Sequence, residues 1–325
     1  MATNANKDQK RKTRAARRAA EEAAAKARAE QAAKERKQQT IIGAIVVAVV
    51  VVLVAVAGIA IWRSHVASQN SGDNLSVDQA YAKLQEVKDK PSTADEKGGI
   101  LVSQSGVGKK VDGAPTVQVY MDFMCSGCGN FERASGETLE KMVLAGQINL
   151  ELHPMSFGDT WSTDKYSTRA ANMLLSITEQ DQDPEHILGF IRNMYADDFQ
   201  PAENSGVKTS DDQMKKQATK AGVSQKVADA SVTDKYTKWL DAINVYNPKR
   251  SELFNVSGTY KGQMTTPTVL INGKYWDMNE LTTAGMTSKE GLITSLGLTD
   301  AQVGVEGQMP SIGASGKPVS VTTGK

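Results

Sequence analysis

The longest apolar run lies near the start of the chain. From Ile41 to Trp62 there are 22 residues without a charge, nearly all Val, Ile, Ala, Leu or Gly. At ~1.5 Å per helical residue they span a hydrocarbon core of roughly 30 Å. A buried core helix of this length would show a polar face. The apolar part of a cleaved signal peptide is shorter, ~7–15 residues, and ends at a small-residue site, whereas this run leaves through Trp62, Arg63 and His65. The pattern therefore predicts a transmembrane helix over 41–62. A polar Ser/Asn/Gly linker follows from Ser68 to Asn74, and Ser76 is placed to cap a short helix over 77–87, with Ala80, Leu84 and Val87 on one face.

After position 98 the period changes. Residues 99–103 and 116–123 predict strands, the second alternating Val117, Val119 and Met121 before an abrupt turn at Cys125 and Cys128. A helix carrying Phe131, Leu139, Met142, Val143 and Leu144 should follow, closed by Gly146, with a strand over 148–152. That order is a βαβ unit. From about 156 to 256 the signals are helical. Asp183-Pro184-Glu185 pairs an N-cap with Pro at the first helical position, Ser210 with Asp211 and Asp212 opens a helix ending near Gly222, and 227–245 forms a third apolar-periodic run. Strand character returns over 268–272, and Asn272-Gly273 turns it back through Lys274-Tyr275-Trp276. Thr287 or Ser288 caps a last helix through Leu296, stopped by Gly297, and 300–325 has few large apolar residues and is expected to be a mobile tail.

Charge sharpens this division. The net charge of +1 hides 12 Lys/Arg against 5 Asp/Glu within residues 1–40, about +7, and about −6 for the remainder. The basic part has no room for a core and the part able to fold is acidic, which argues against a nucleic-acid-binding domain. A basic head before an apolar span instead stays in the cytoplasm under the positive-inside rule, leaving everything after Arg63 outside it. Its i,i+4 pairs such as Glu22 and Lys26 fit a solvated helix or a partly disordered tail.

The chain has two cysteines, spaced Cys125-Ser126-Gly127-Cys128, and three histidines, His65, His153 and His186. A zinc site needs about four ligands, and no second cysteine pair is present to complete one. A structural disulfide across so short a loop contributes little stability. A working dithiol explains the spacing better. The thiolate is the nucleophile in disulfide exchange, and a free cysteine, at roughly 8.5, is mostly protonated near neutrality. A cysteine at the mouth of a helix gains from the unpaired N–H groups and the positive end of the helix dipole. This makes Cys125 the nucleophile and Cys128, one turn inward, the resolving residue. No histidine has a partner constellation, and no phosphate loop, dinucleotide fingerprint or hydrolase elbow occurs.

The run from Val119 through Asp122, Phe123 and Met124 to Cys128, the roughly hundred-residue helical stretch, and Thr265-Thr266-Pro267-Thr268 through Gly273 together resemble the DsbA-like family of bacterial thiol-disulfide oxidoreductases. The resemblance covers about 99–298. It implies an α/β, thioredoxin-like fold with an inserted helical subdomain. The expected plan is a basic tail over 1–40, the membrane helix over 41–62, a linker and short helix over 63–98, the first part of the thioredoxin-like domain over 99–155, the insertion over 156–257, the second part over 258–299, and the tail. The resemblance also implies that Pro267 is a cis-proline lying against the cysteines, and that the backbone of Thr266 contacts an extended client.

Two departures limit what carries over. The dipeptide Ser126-Gly127 replaces the Pro-His of strongly oxidising members, and Val119 stands where related enzymes hold a buried carboxylate. Asp122, the nearest acid, reads as a turn residue or a proton-transfer group. The expected function is disulfide formation in exported proteins, with no cofactor beyond the Cys125–Cys128 pair and no metal. The family's habit implies a quinone-linked membrane reoxidant, DsbB-like or vitamin-K-epoxide-reductase-like. An exported reductase or isomerase and a non-catalytic client-binding module remain open alternatives.

Overall fold

A computed structural model describes residues 74–322. The expected membrane helix over 41–62, the basic head and His65 lie outside the described residues. Among those described, no helix is long and apolar enough to cross a membrane.

Six strands form one mixed sheet in the order β2-β1-β4-β3-β5-β6: β1 Ile100–Ser103, β2 Gly106–Val107, β3 Thr116–Asp122, β4 Asn149–Met155, β5 Thr268–Ile271 and β6 Lys274–Tyr275. The centre is the parallel pair β3–β4, in which Val117 faces Leu150 and Val119 faces Leu152. Strand β5 runs antiparallel to β3, with Val269 opposite Val119. All seven residues of β4 except Glu151 are buried, as befits a strand covered on both faces.

Helix α1 (Val77–Glu86) starts at Ser76 with a complete capping box to Gln79. Helix α2 (Ser126–Leu144) connects β3 to β4 and places Phe131, Leu139, Met142 and Val143 in the core. Between β4 and β5 come a 3-10 turn (Phe157–Trp161) and the helices α3 (Tyr166–Gln180), α4 (Pro184–Met194), α5 (Asp211–Lys220), α6 (Gln225–Ala230) and α7 (Thr237–Tyr246). The last two divide what the apolar period suggests is one helix over 227–245. Buried Asn172 causes the break, because its Oδ1 accepts the N–H of Tyr236 (2.8 Å) and its Nδ2 donates to Thr237 Oγ1 (3.2 Å), fixing a new helix start. After the hairpin come α8 (Asn279–Ala284) and α9 (Ser288–Leu296), the latter begun by the Thr287–Glu290 capping box and ended by left-handed Gly297.

The segment after position 299 is not the free tail that its composition suggests. Buried Gln147 donates to the carbonyls of Gln302 (2.7 Å) and Gln308 (2.6 Å) and accepts the N–H of Gly304 (2.8 Å). Asn272 donates to the carbonyls of Gly313 and Gly316, both at 2.9 Å. Lys289 pairs with Asp300. Two side-chain amides thus hold by its backbone a segment that offers few apolar anchors.

Candidate active site

The site lies where β3 ends and α2 begins. Strand alternation stops at Asp122, whose carbonyl accepts the N–H of Cys125 (3.0 Å), closing a turn. Cys125 is the N-cap of α2, and its Sγ accepts the N–H of Cys128 (3.4 Å). The sulfur therefore takes the place that a Ser or Asp oxygen occupies at ordinary helix starts. The two thiols are not bonded to each other. Cys125 keeps 7% of its surface exposed against 2% for Cys128, so Cys125 is the more accessible sulfur. Burial, followed by the adjacent Cys125, pushes the Cys128 thiol well above its ordinary range, and the N–H of Asp122, 3.5 Å from its Sγ, opposes this. Cys128 waits as a protonated thiol.

The expected partners from the late strand are close by. The Thr266–Pro267 peptide is cis. Thr266 O lies 3.4 Å from Cys125 Sγ and accepts its S–H. A Cβ on Gly127 would sit 3.3 Å from Pro267 Cδ and 3.6 Å from both Cys125 Sγ and Thr266 O. Gly127 thus lets the proline turn approach the dithiol.

Asp122 is more than a turn residue. It is fully buried, and its carboxylate accepts from the N–H of Met124 (2.9 Å), the N–H of Gly158 (2.8 Å) and the hydroxyl of Ser167 (2.5 Å). Burial raises its pKa to about 7 against the pull of those three hydrogen bonds. It joins the end of β3 to the 3-10 turn and to α3. Gly158 is required here, since a Cβ would lie 2.6 Å from Asp122 Oδ1 and 2.7 Å from Ser167 Oγ.

Several residues at the site escape sequence reasoning. Gln200 Nε2 donates to the carbonyls of Phe123 and Cys125, both at 3.0 Å. Glu203 Oε1 accepts the N–H of Ser126 (2.8 Å). The buried Tyr195 hydroxyl has no hydrogen-bond partner, and burial, followed by its nearness to Cys128 and Asp122, pushes its pKa well above the ordinary range. Val119 and Met121 line an apolar cavity of about 20 Å³, space for one water. Glu132, one helical turn beyond Cys128, reaches this cavity, and burial raises its pKa to about 7 while Arg192 opposes. Gln200 stands 75 positions from Cys125 and Glu203 stands 77 from Ser126, and no local pattern marks either.

Of the two described histidines, His153 lies within β4, stacked on Tyr120 at 4.0 Å and bonded to Glu151 (2.7 Å). His186 bonds Asp181 (2.9 Å) at the start of α4. Neither belongs to the dithiol site. No cluster of metal-ligating side chains occurs among the described residues.

A family model described as Thioredoxin matches residues 107–287, more than half of the chain. The chain belongs to that family. A thioredoxin-family chain with its Cys-x-x-Cys pair opening a helix is a thiol-disulfide oxidoreductase, and this one is similar to DsbA and MdbA. Reduced DsbA from Mycobacterium tuberculosis is 27% identical, with 55% of this chain and 84% of that one covered, at a TM-score of 0.45. The MdbA thiol-disulfide oxidoreductase of Actinomyces oris is 21% identical, with 60% and 85% covered, also at 0.45. A stretch of 97 residues, 30% of this chain, is 30% identical to the serine/threonine-protein kinase PknE of Mycobacterium tuberculosis. That stretch is 17% of the kinase, so the chain spans a small part of that relative.

Proposed function

We propose that this thioredoxin-family protein is a membrane-anchored, extracytoplasmic dithiol oxidase that forms disulfides in exported proteins. The observation that carries the reading is the seat of Cys125. Its sulfur caps the helix start, accepts the N–H of Cys128 and lies against the backbone of Thr266. In the oxidised enzyme, a client thiolate attacks Cys125 Sγ. The Cys125–Cys128 bond breaks, a mixed disulfide forms, and Cys128 leaves as a thiolate that takes up a proton. A second client thiolate then attacks the client sulfur of the mixed disulfide and expels Cys125. The client gains one disulfide and loses two electrons, and the enzyme holds both as a dithiol.

Cys125 is thus the nucleophile in the reverse direction and the attacked sulfur in this one, Cys128 resolves, and Thr266 with Pro267 borders the client's path. Ser126 and Gly127 contribute a backbone N–H and open space. The anchor is the apolar run over 41–62, and the compartment follows from the basic head before it. Exported proteins with cysteines are the clients. A quinone-linked membrane protein, DsbB-like or vitamin-K-epoxide-reductase-like, is the reoxidant.

The reduction potential tests the oxidase reading, measured by equilibrating the protein with glutathione. A potential well above −270 mV, the approximate value for thioredoxin, supports it, and one near that value assigns the protein to reductants or isomerases. Cys125→Ser abolishes exchange, and Cys128→Ser accumulates mixed disulfides with clients. Unchanged cellular function in Cys125→Ser would instead identify a non-catalytic client-binding module.

A further inference from the structure

Two acidic groups share the start of α2. The Sγ of Cys125 accepts the N–H of Cys128 (3.4 Å), and the carboxylate of Glu203, from the loop after α4, accepts the N–H of Ser126 (2.8 Å). Ser126 directly follows Cys125, so Glu203 occupies the same positive pole on which an ionised Cys125 depends. The loop is fastened on both sides of Glu203. Gln200, three residues earlier, donates to the carbonyls of Phe123 and Cys125, and the N–H of Asn204 donates to the carbonyl of Trp161 (2.9 Å). A Cβ at Gly129 would fall 2.0 Å from Gln200 Oε1, so the helix leaves room for this loop.

Among the described residues no Lys or Arg forms an ion pair with this carboxylate. Arg133 is engaged with Asp197 (2.8 Å), the carbonyl of Tyr195 and Asn130.

We propose that Glu203 is a positioning and redox-setting residue, which caps α2 with a charge of the same sign as the Cys125 thiolate and so makes the dithiol form less favourable. The inference rests on Cys125 and Cys128 being the redox pair. A capping carboxylate stabilises the helix in both redox states, but it opposes the anion only in the reduced one. The consequence is a weaker oxidant than the same dithiol without Glu203. The insertion thereby acts on the chemistry of the sheet domain through one side chain.

The reference reaction is the protein disulfide plus two glutathione thiols giving the protein dithiol plus glutathione disulfide. One S–S bond breaks and one forms, two electrons pass to the protein, and where Cys125 is left ionised one proton goes to solvent. The test equilibrates the full chain in detergent micelles with glutathione buffers and reads the reduced fraction by alkylation. Glu203→Gln keeps an oxygen for the Ser126 N–H and removes the charge. Its equilibrium constant for reduction should rise about fivefold, as expected for one charge at a helix end, which is ~20 mV less negative given that tenfold is ~30 mV. Glu203→Lys should move it further in the same direction, and alkylation of Cys125 below neutral pH should quicken in both variants.

Glu203 lies on a half-buried loop position, so the Lys variant decides the matter should the Gln variant fold poorly. A constant within about twofold of wild type in a folded Gln or Lys variant overturns the proposal and leaves Glu203 a plain helix cap. A wild-type protein that does not equilibrate with glutathione at all removes the redox reading of the dithiol, and this inference with it.

Discussion

Replacing Asp122 with Asn probes the buried carboxylate beneath the dithiol. In the folded protein it titrates at about 7, raised by burial from an ordinary 3.8. Below about 3.8 both folded and unfolded chains hold the proton, and folding carries no ionisation cost. As pH rises from there to about 7 the unfolded chain ionises first, so stability is progressively lost. Above 7 the full cost is in place, about 4 kcal/mol at ~1.4 kcal/mol per pH unit. Asn matches the neutral acid in shape, but it presents an NH₂ to a site that holds three donors, Met124 N–H, Gly158 N–H and the Ser167 hydroxyl. One donor loses its acceptor, at ~1–3 kcal/mol.

The two effects oppose each other, and pH decides which wins. Near pH 4 the Asn variant should be less stable than wild type by ~1–3 kcal/mol. Near pH 8 it should be more stable by a similar margin, because the ionisation cost of about 4 kcal/mol is gone. Urea unfolding of the reduced full chain in detergent, at both pH values, gives the comparison. Glu132, with its own raised pKa, is present in both proteins and cancels in the difference. A variant destabilised equally at the two pH values would refute the reasoning, since it would mean that Asp122 is ionised in the folded protein without a desolvation cost.

Gly127→Val should slow exchange with a small dithiol client at least ~10-fold, because its methyls extend a Cβ already 3.3 Å from Pro267 Cδ and 3.6 Å from Cys125 Sγ, where the client sulfur must align; stopped-flow kinetics at wild-type rates would contradict this. Gln147→Ala should lower stability by ~2–4 kcal/mol and open the segment after position 299 to proteases, since it deprives the carbonyls of Gln302, Val305 and Gln308 and the Gly304 N–H of a partner; an unchanged melt and cleavage pattern would show that the segment is held by other means.

Local rules carried much of the architecture. The Ser76 and Thr287 capping boxes, the Asp183-Pro184 helix start and the Asn272-Gly273 hairpin act within a few residues, and the corresponding elements occupy those positions. The two-residue strand β2 and the short helix α8 carry weak local signals and have no counterpart among the elements expected from sequence, and α3 shows there only as part of the helical stretch over 156–256. The dithiol was legible for a similar reason, because a strand that ends in two cysteines one helical turn apart specifies its own geometry. The membrane span expected over 41–62 rests on composition alone and lies outside the described residues.

What only the tertiary structure decided is the surroundings of that dithiol. Asp122 looked like a turn residue because its bond to Met124 is local, while Gly158 and Ser167 come from 36 and 45 residues away. Gln200 and Glu203 reach the first turn of α2 from the helical insertion, and Gln147 and Asn272 hold a segment whose composition suggested freedom. The physical reason is common to all of them. A side-chain amide or carboxylate bonds any backbone group brought within ~3 Å, and which group that is depends on how the chain packs, not on its neighbours in sequence.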